Sequence, residues 1–85
     1  MISNLNISIV DISNANNVSG VSYNISGDSI KIQNTHIVIN NVKANSNISG
    51  ISYSIYNTFR LENVVVEMNS VNGKYVYGVA NYTYE

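Results

Sequence analysis

Cysteine is absent from this 85-residue chain and charge is scarce: charged residues make up 11%, less than half the roughly 25% usual in soluble domains. Without cysteine, no disulfide framework or thiolate metal site reinforces a chain this short, which buries only roughly 60–65% of the surface its unfolded form exposes. A net charge of −1 argues against electrostatic capture by nucleic acid or an anionic membrane. Apolar residues reach 45% but are scattered singly among Ser and Asn, so no run approaches the roughly 20 residues of a membrane span. Met1-Ile2-Ser3-Asn4 lacks the basic start and continuous apolar stretch of a secretory signal. If the protein is secreted, the expectation is that its signal has already been removed.

The few chemically versatile side chains are dispersed. Asp11, Asp28, Glu62, Glu67 and Glu85 do not form the paired-carboxylate spacing of a glycosidase. His36 is the single histidine and has no companion at the spacing of an acid/base or nucleophilic site. Ligand spacing for zinc or calcium is missing as well. The sequence therefore predicts no enzyme, metal or cofactor. Lys31, Gln33, Arg60 and Glu62 fall on one outward face, with His36 nearby, and read as a solvated polar patch in which Arg60 and Glu62 partly neutralise each other.

What is present is a repeat. Val18-Ser19-Gly20-Val21-Ser22-Tyr23 returns as Ile48-Ser49-Gly50-Ile51-Ser52-Tyr53, and more loosely as Val76-Tyr77-Gly78-Val79-Ala80-Asn81. Upstream stand Asn6-Ile7-Ser8-Ile9, His36-Ile37-Val38-Ile39 and Val65-Val66-Glu67-Met68, each preceded by an asparagine of one column: Asn4, Asn34 and Asn63. Three copies of about 29 residues cover the chain.

Apolar residues occupy every second position within a copy, a strand period. Ile7 and Ile9, Ile37 and Ile39, and Val66 and Met68 point one way, whereas Ser8, Val38 and Glu67 point the other. The next apolar position comes three residues on, at Ile12, Val42 and Val71, a phase slip that marks a corner. A further strand follows each glycine, with Val21 and Ile25, Ile51 and Ile55, and Val79 and Thr83 inward. The expectation is an all-β, three-rung parallel β-helix (β-solenoid) forming a single domain over 1–85. Each rung would carry three short strands, with rungs near 1–30, 31–59 and 60–85. Equivalent residues would then stack in parallel register about 4.8 Å apart. Ile2, Ile32 and Leu61 form one expected core column, and Ile12, Val42 and Val71 another. Asn4, Asn34 and Asn63 form a corner ladder, since Asn tolerates left-handed backbone. Gly20, Gly50 and Gly78 mark a bend or a close approach that admits no side chain.

The run Ile32-Gln33-Asn34-Thr35-His36-Ile37-Val38-Ile39, the Ile48-Ser49-Gly50-Ile51-Ser52-Tyr53 segment and Tyr77-Gly78-Val79-Ala80-Asn81 together resemble rungs of right-handed parallel β-helices of the pectate-lyase-like type. That resemblance implies the fold and, from it, the right hand. Members of this type include polysaccharide lyases, phage tailspikes and surface adhesins, so it leaves function open. The acidic calcium cluster and basic catalytic residues of the lyases have no matching positions here.

Residue 1 aligns with 31 and 60, and residue 85 with 57, so the chain fills three repeats almost in phase, with no polar cap recognisable at either end. The expectation is a structural subunit that stacks head to tail on copies of itself into an extracellular or cell-surface filament rising roughly 14 Å per subunit. Ile2, Leu5, Ile7, Val79, Tyr82 and Tyr84 are the expected junction residues. The alternative is a glycan-binding or adhesive fragment of a larger β-helical surface protein or tailspike. Seven tyrosines, four of them Tyr75, Tyr77, Tyr82 and Tyr84, suit a contact surface toward protein or sugar. Five N-glycosylation acceptor motifs begin at Asn6, Asn17, Asn24, Asn47 and Asn81, and strand alternation turns Asn6 and Asn24 outward.

Overall fold

The computed structural model describes residues 1–84, without the side chains of Tyr82 and Tyr84; Glu85 lies outside it. Among the described residues the period-2 pattern becomes eight strands: β1 (Ile2–Ser3), β2 (Asn6–Ser19), β3 (Ser22–Ile25), β4 (Ile30–Ser49), β5 (Ser52–Tyr56), β6 (Phe59–Asn72), β7 (Tyr75–Tyr77) and β8 (Ala80–Tyr84). The chain is all-β, and no helix occurs among the described residues. Every strand pair is parallel. In one sheet β4 lies between β1 and β2 on one side and β6 and β7 on the other; in the second, β5 lies between β3 and β8.

The register joins equivalent residues of the three sequence copies. Ile2 pairs with Ile32 and Ile32 with Leu61; Ile7, Ile37 and Val66 follow, then Ile9, Ile39 and Met68, then Ile12, Val42 and Val71. In the second sheet Ile25 pairs with Ile55 and Ile55 with Thr83. Strands paired in parallel about 4.8 Å apart are consistent with the thin axis of a molecule measuring 34 × 23 × 13 Å.

The expectation of three short strands per copy differs from what is seen, because β2 and β6 run for 14 residues and β4 for 20. The cause is a corner made by one residue. Asn4, Asn34 and Asn63 adopt φ of 57°, 51° and 52°, and Asp11, Asn41 and Ser70 adopt 58°, 56° and 54°. A single left-handed residue redirects the chain and lets β4 and β6 pair on both sides of it. Asn and Asp accept that conformation better than other side chains. Asn14, with φ 64°, sits where the β2–β4 register shifts between Ile12 and Ala15, the mark of an inserted residue.

The core belongs to the middle copy. Ile32, Ile37, Ile39, Val42, Ile48, Ile51 and Ile55 are fully buried, whereas Ile2, Ile7, Ile9, Ile12, Leu61, Val66, Met68 and Val71 in the outer copies are only partly so. Thr83, expected inward, is exposed. Buried hydroxyls are satisfied, as buried polar groups must be. Thr35 Oγ1 donates to the Gln33 carbonyl at 3.0 Å, Ser52 Oγ to the Tyr23 carbonyl at 3.0 Å, and Ser54 Oγ to Asn24 Oδ1.

Candidate functional site: two outer faces and a tyrosine groove

None of the five glycines has positive φ, so the repeated glycine column answers to space. A Cβ on Gly20 would lie 2.0 Å from the Gly50 carbonyl oxygen, and one on Gly50 would lie 1.9 Å from that of Gly78. Both distances are far inside van der Waals contact, so neither position admits a side chain. A Cβ on Gly78 would meet nothing within 4 Å. Gly20 and Gly50 are buried and Gly78 is exposed, although the sequence gives all three the same residue.

Asparagine amides tie the layers together. Asn63 Nδ2 donates to Asn34 Oδ1 at 2.9 Å, and Asn41 Nδ2 to Asp11 Oδ1 at 2.7 Å. Asn4 joins its neighbour through the backbone, its N–H donating to the Gln33 carbonyl at 3.1 Å. A longer ladder runs beside the glycines: Asn47 Nδ2 donates to Asn17 Oδ1 at 2.8 Å, Asn81 Nδ2 to Asn47 Oδ1 at 2.6 Å, and Ser49 Oγ to Asn81 Oδ1 at 2.6 Å. Asp11, Asn41 and Ser70 form a second corner that no shared residue type marks in the sequence, though the phase slip after Ile9, Ile39 and Met68 points there. In the sequence Asn17, Asn47 and Asn81 stand out only as glycosylation motifs, whereas in the fold they form a ladder. The nitrogen that a glycan would take is, in Asn47 and Asn81, a ladder donor. Asn6 and Asn24 are exposed, and the Asn24 oxygen accepts from Ser54.

Of the expected junction residues, Ile2, Ile7 and Val79 are half-buried and Leu5 is exposed; the Tyr82 and Tyr84 side chains lie outside the described residues. Ile2, Leu5 and Ile7 belong to the first copy's face and Val79 to the third's. Within one column, Val18 is 8% exposed and Ile48 fully buried, while Val76 is 42% exposed.

On the flank, where the glycine bend joins the two sheets, Ser46, Asn47, Tyr53, Tyr75, Tyr77 and Asn81 line a groove of about 380 Å³. Tyr53 stacks on Tyr23 with ring centroids 4.7 Å apart and planes 4° from parallel. Tyr75 and Tyr77 are exposed, and Lys74 Nζ lies 5.6 Å from the Tyr75 ring centre. Among the described residues, no charged side chain lines the groove.

The polar patch pairs more widely than expected. Glu62 meets Arg60 at 3.6 Å and also Lys31 of the neighbouring layer at 3.4 Å, and His36 lies 3.4 Å from Glu67. These groups are solvent-exposed enough that each pair contributes little. Among the described residues no three His, Cys, Asp or Glu gather as metal ligands, and no helix is long and apolar enough to cross a membrane. Compared with protein-family models, with curated proteins and with solved structures, the chain matches none.

Proposed function

We propose that the three copies are three rungs of a β-solenoid of the pectate-lyase-like kind, and that the chain is a structural subunit stacking head to tail into a filament outside the cell or on its surface. The observation that carries this reading is the contrast in burial between layers. The middle copy is closed on both sides, while the same apolar columns stand half open on the first and third copies. The two open faces match column by column: Leu61 with Ile2, Val66 with Ile7, Met68 with Ile9, and Val71 with Ile12.

A second copy laid on the third layer would meet like residues at the same spacing and add backbone pairing along the whole edge. Full burial of such a side chain is worth about 1.5–3 kcal/mol. Completing eight half-buried ones is of the same order as the roughly 4–15 kcal/mol that association costs. Sedimentation velocity across nanomolar to high micromolar concentration tests the reading. Growth to long polymers above a threshold is expected, and a folded monomer at every concentration contradicts it.

The groove favours a second reading, in which the chain is a glycan-binding or adhesive part of a larger β-helical surface protein or tailspike. Tyrosine rings beside neutral amides and a hydroxyl suit the apolar faces and hydroxyls of an uncharged sugar. A neutral-glycan array probed with the wild type and with Tyr75→Ala tests it. Binding lost in the variant supports this reading, and no binding by either removes it.

A further inference from the structure

The proposed stacking has a direction, and it rests on the head-to-tail reading above. We infer that subunits join in a single orientation and register, with the Gly20 carbonyl of an incoming subunit seated on Gly78 of the subunit before it. A subunit whose Gly78 carries a side chain can therefore enter a filament but cannot be followed.

Two independent sets of contacts carry this. The first is the glycine column. Each closed glycine faces the carbonyl of its equivalent one copy later: Gly20 that of Gly50 at 2.0 Å, and Gly50 that of Gly78 at 1.9 Å, measured from an added Cβ. Gly78 faces the same way, away from the body of its own chain, and there finds open space. Backbone donors beside that column run the same way. The Gly20 N–H donates to the Ser49 carbonyl at 3.1 Å and the Gly50 N–H to that of Tyr77 at 2.9 Å; Val21 donates to Ile51 at 2.8 Å and Ile51 to Val79 at 2.9 Å. By continuation, the N–H groups of Gly78 and Val79 are aimed at Ser19 and Val21 of the next subunit.

The second set is the side-chain amides, which run oppositely and with equal consistency. Asn41, Asn45, Asn47, Asn57, Asn63 and Asn81 all donate from the later copy to the earlier. In head-to-tail order the Asn4 amide of an incoming subunit becomes the donor to Asn63 Oδ1. Head-to-head or tail-to-tail contact would set equivalent groups against each other and leave the strands antiparallel, so a heterologous, non-closing contact is the one that satisfies both sets.

The test is Gly78→Ala, purified alone and mixed with wild type. Alone, it is expected to fold like the wild type by circular dichroism and to remain monomeric. At one part in ten it is expected to shorten wild-type filaments to about ten subunits, because a one-way open polymer stops at each blocked acceptor. A second variant attacks the other face: Asn4→Asp keeps a residue tolerant of left-handed backbone but removes the donor. It should raise the threshold concentration about tenfold, the effect of an unmade hydrogen bond. Wild-type filaments that incorporate Gly78→Ala without shortening, together with an unchanged Asn4→Asp threshold, overturn this junction and leave stacking intact. Absence of wild-type filaments overturns the stacking itself.

Discussion

The middle copy and its two neighbours carry similar residues in the same columns, yet most of those columns are buried more deeply in the middle copy. Ile37 and Ile39 are fully buried, while Ile7, Ile9, Val66 and Met68 on either side keep part of their surface in water. The same holds for Gly50 against Gly78, and for Ile48 against Val76. In a layered array of this kind, burial is conferred by neighbours above and below more than by residue identity. Stability should therefore be read layer by layer, and mutations that are chemically alike should diverge according to the layer they strike.

The sharpest divergence is expected along the glycine column. Gly50→Ala places a methyl 1.9 Å from a backbone oxygen and should abolish folding, seen as loss of the β signal in circular dichroism. Gly78→Ala should leave the isolated subunit's melting temperature unchanged. Equal damage from both would break the comparison.

Core truncations come next. Ile37→Ala should cost about 2–5 kcal/mol by denaturant titration, and Ile7→Ala roughly half as much in the monomer, since part of that side chain is already wet. In filaments the gap should close, because Ile7 would then be covered.

The amide ladder offers a smaller effect with a built-in control. Asn47→Asp removes the donor to Asn17 Oδ1 at the centre of the Asn17–Asn47–Asn81 run and should cost about 1–3 kcal/mol. Asn17→Asp keeps the acceptor that Asn47 uses and should cost clearly less. Smallest of all is His36→Ala, which loses one exposed pair with Glu67 and should shift stability by under about 1 kcal/mol.

Much of this arrangement is legible in the sequence because the repeat and the period-2 alternation reinforce each other. The columns Ile2–Ile32–Leu61 and Ile12–Val42–Val71 follow from aligning the copies, and the pairing register agrees with them. Other features depend on angles that periodicity does not encode. Asp11, Asn41 and Ser70 differ in identity, so their shared left-handed backbone is hidden from comparison of copies. The long strands are hidden too, because asparagine reads as a strand breaker while here it bends the strand and keeps the ladder. Tyr53 shares a groove with Tyr75 and Tyr77 across the bend at the glycines, a neighbourhood that periodicity does not give. Asn81, aligned with Tyr53, instead sends its amide sideways to Asn47.

The central claim, that the two open faces cover one another between copies, is tested most directly by the axial rise in electron micrographs of the purified chain. Three layers at about 4.8 Å each predict a repeat of roughly 14 Å along an unbranched filament. A rise far from that value, or particles that stay single and folded at high concentration, would contradict it.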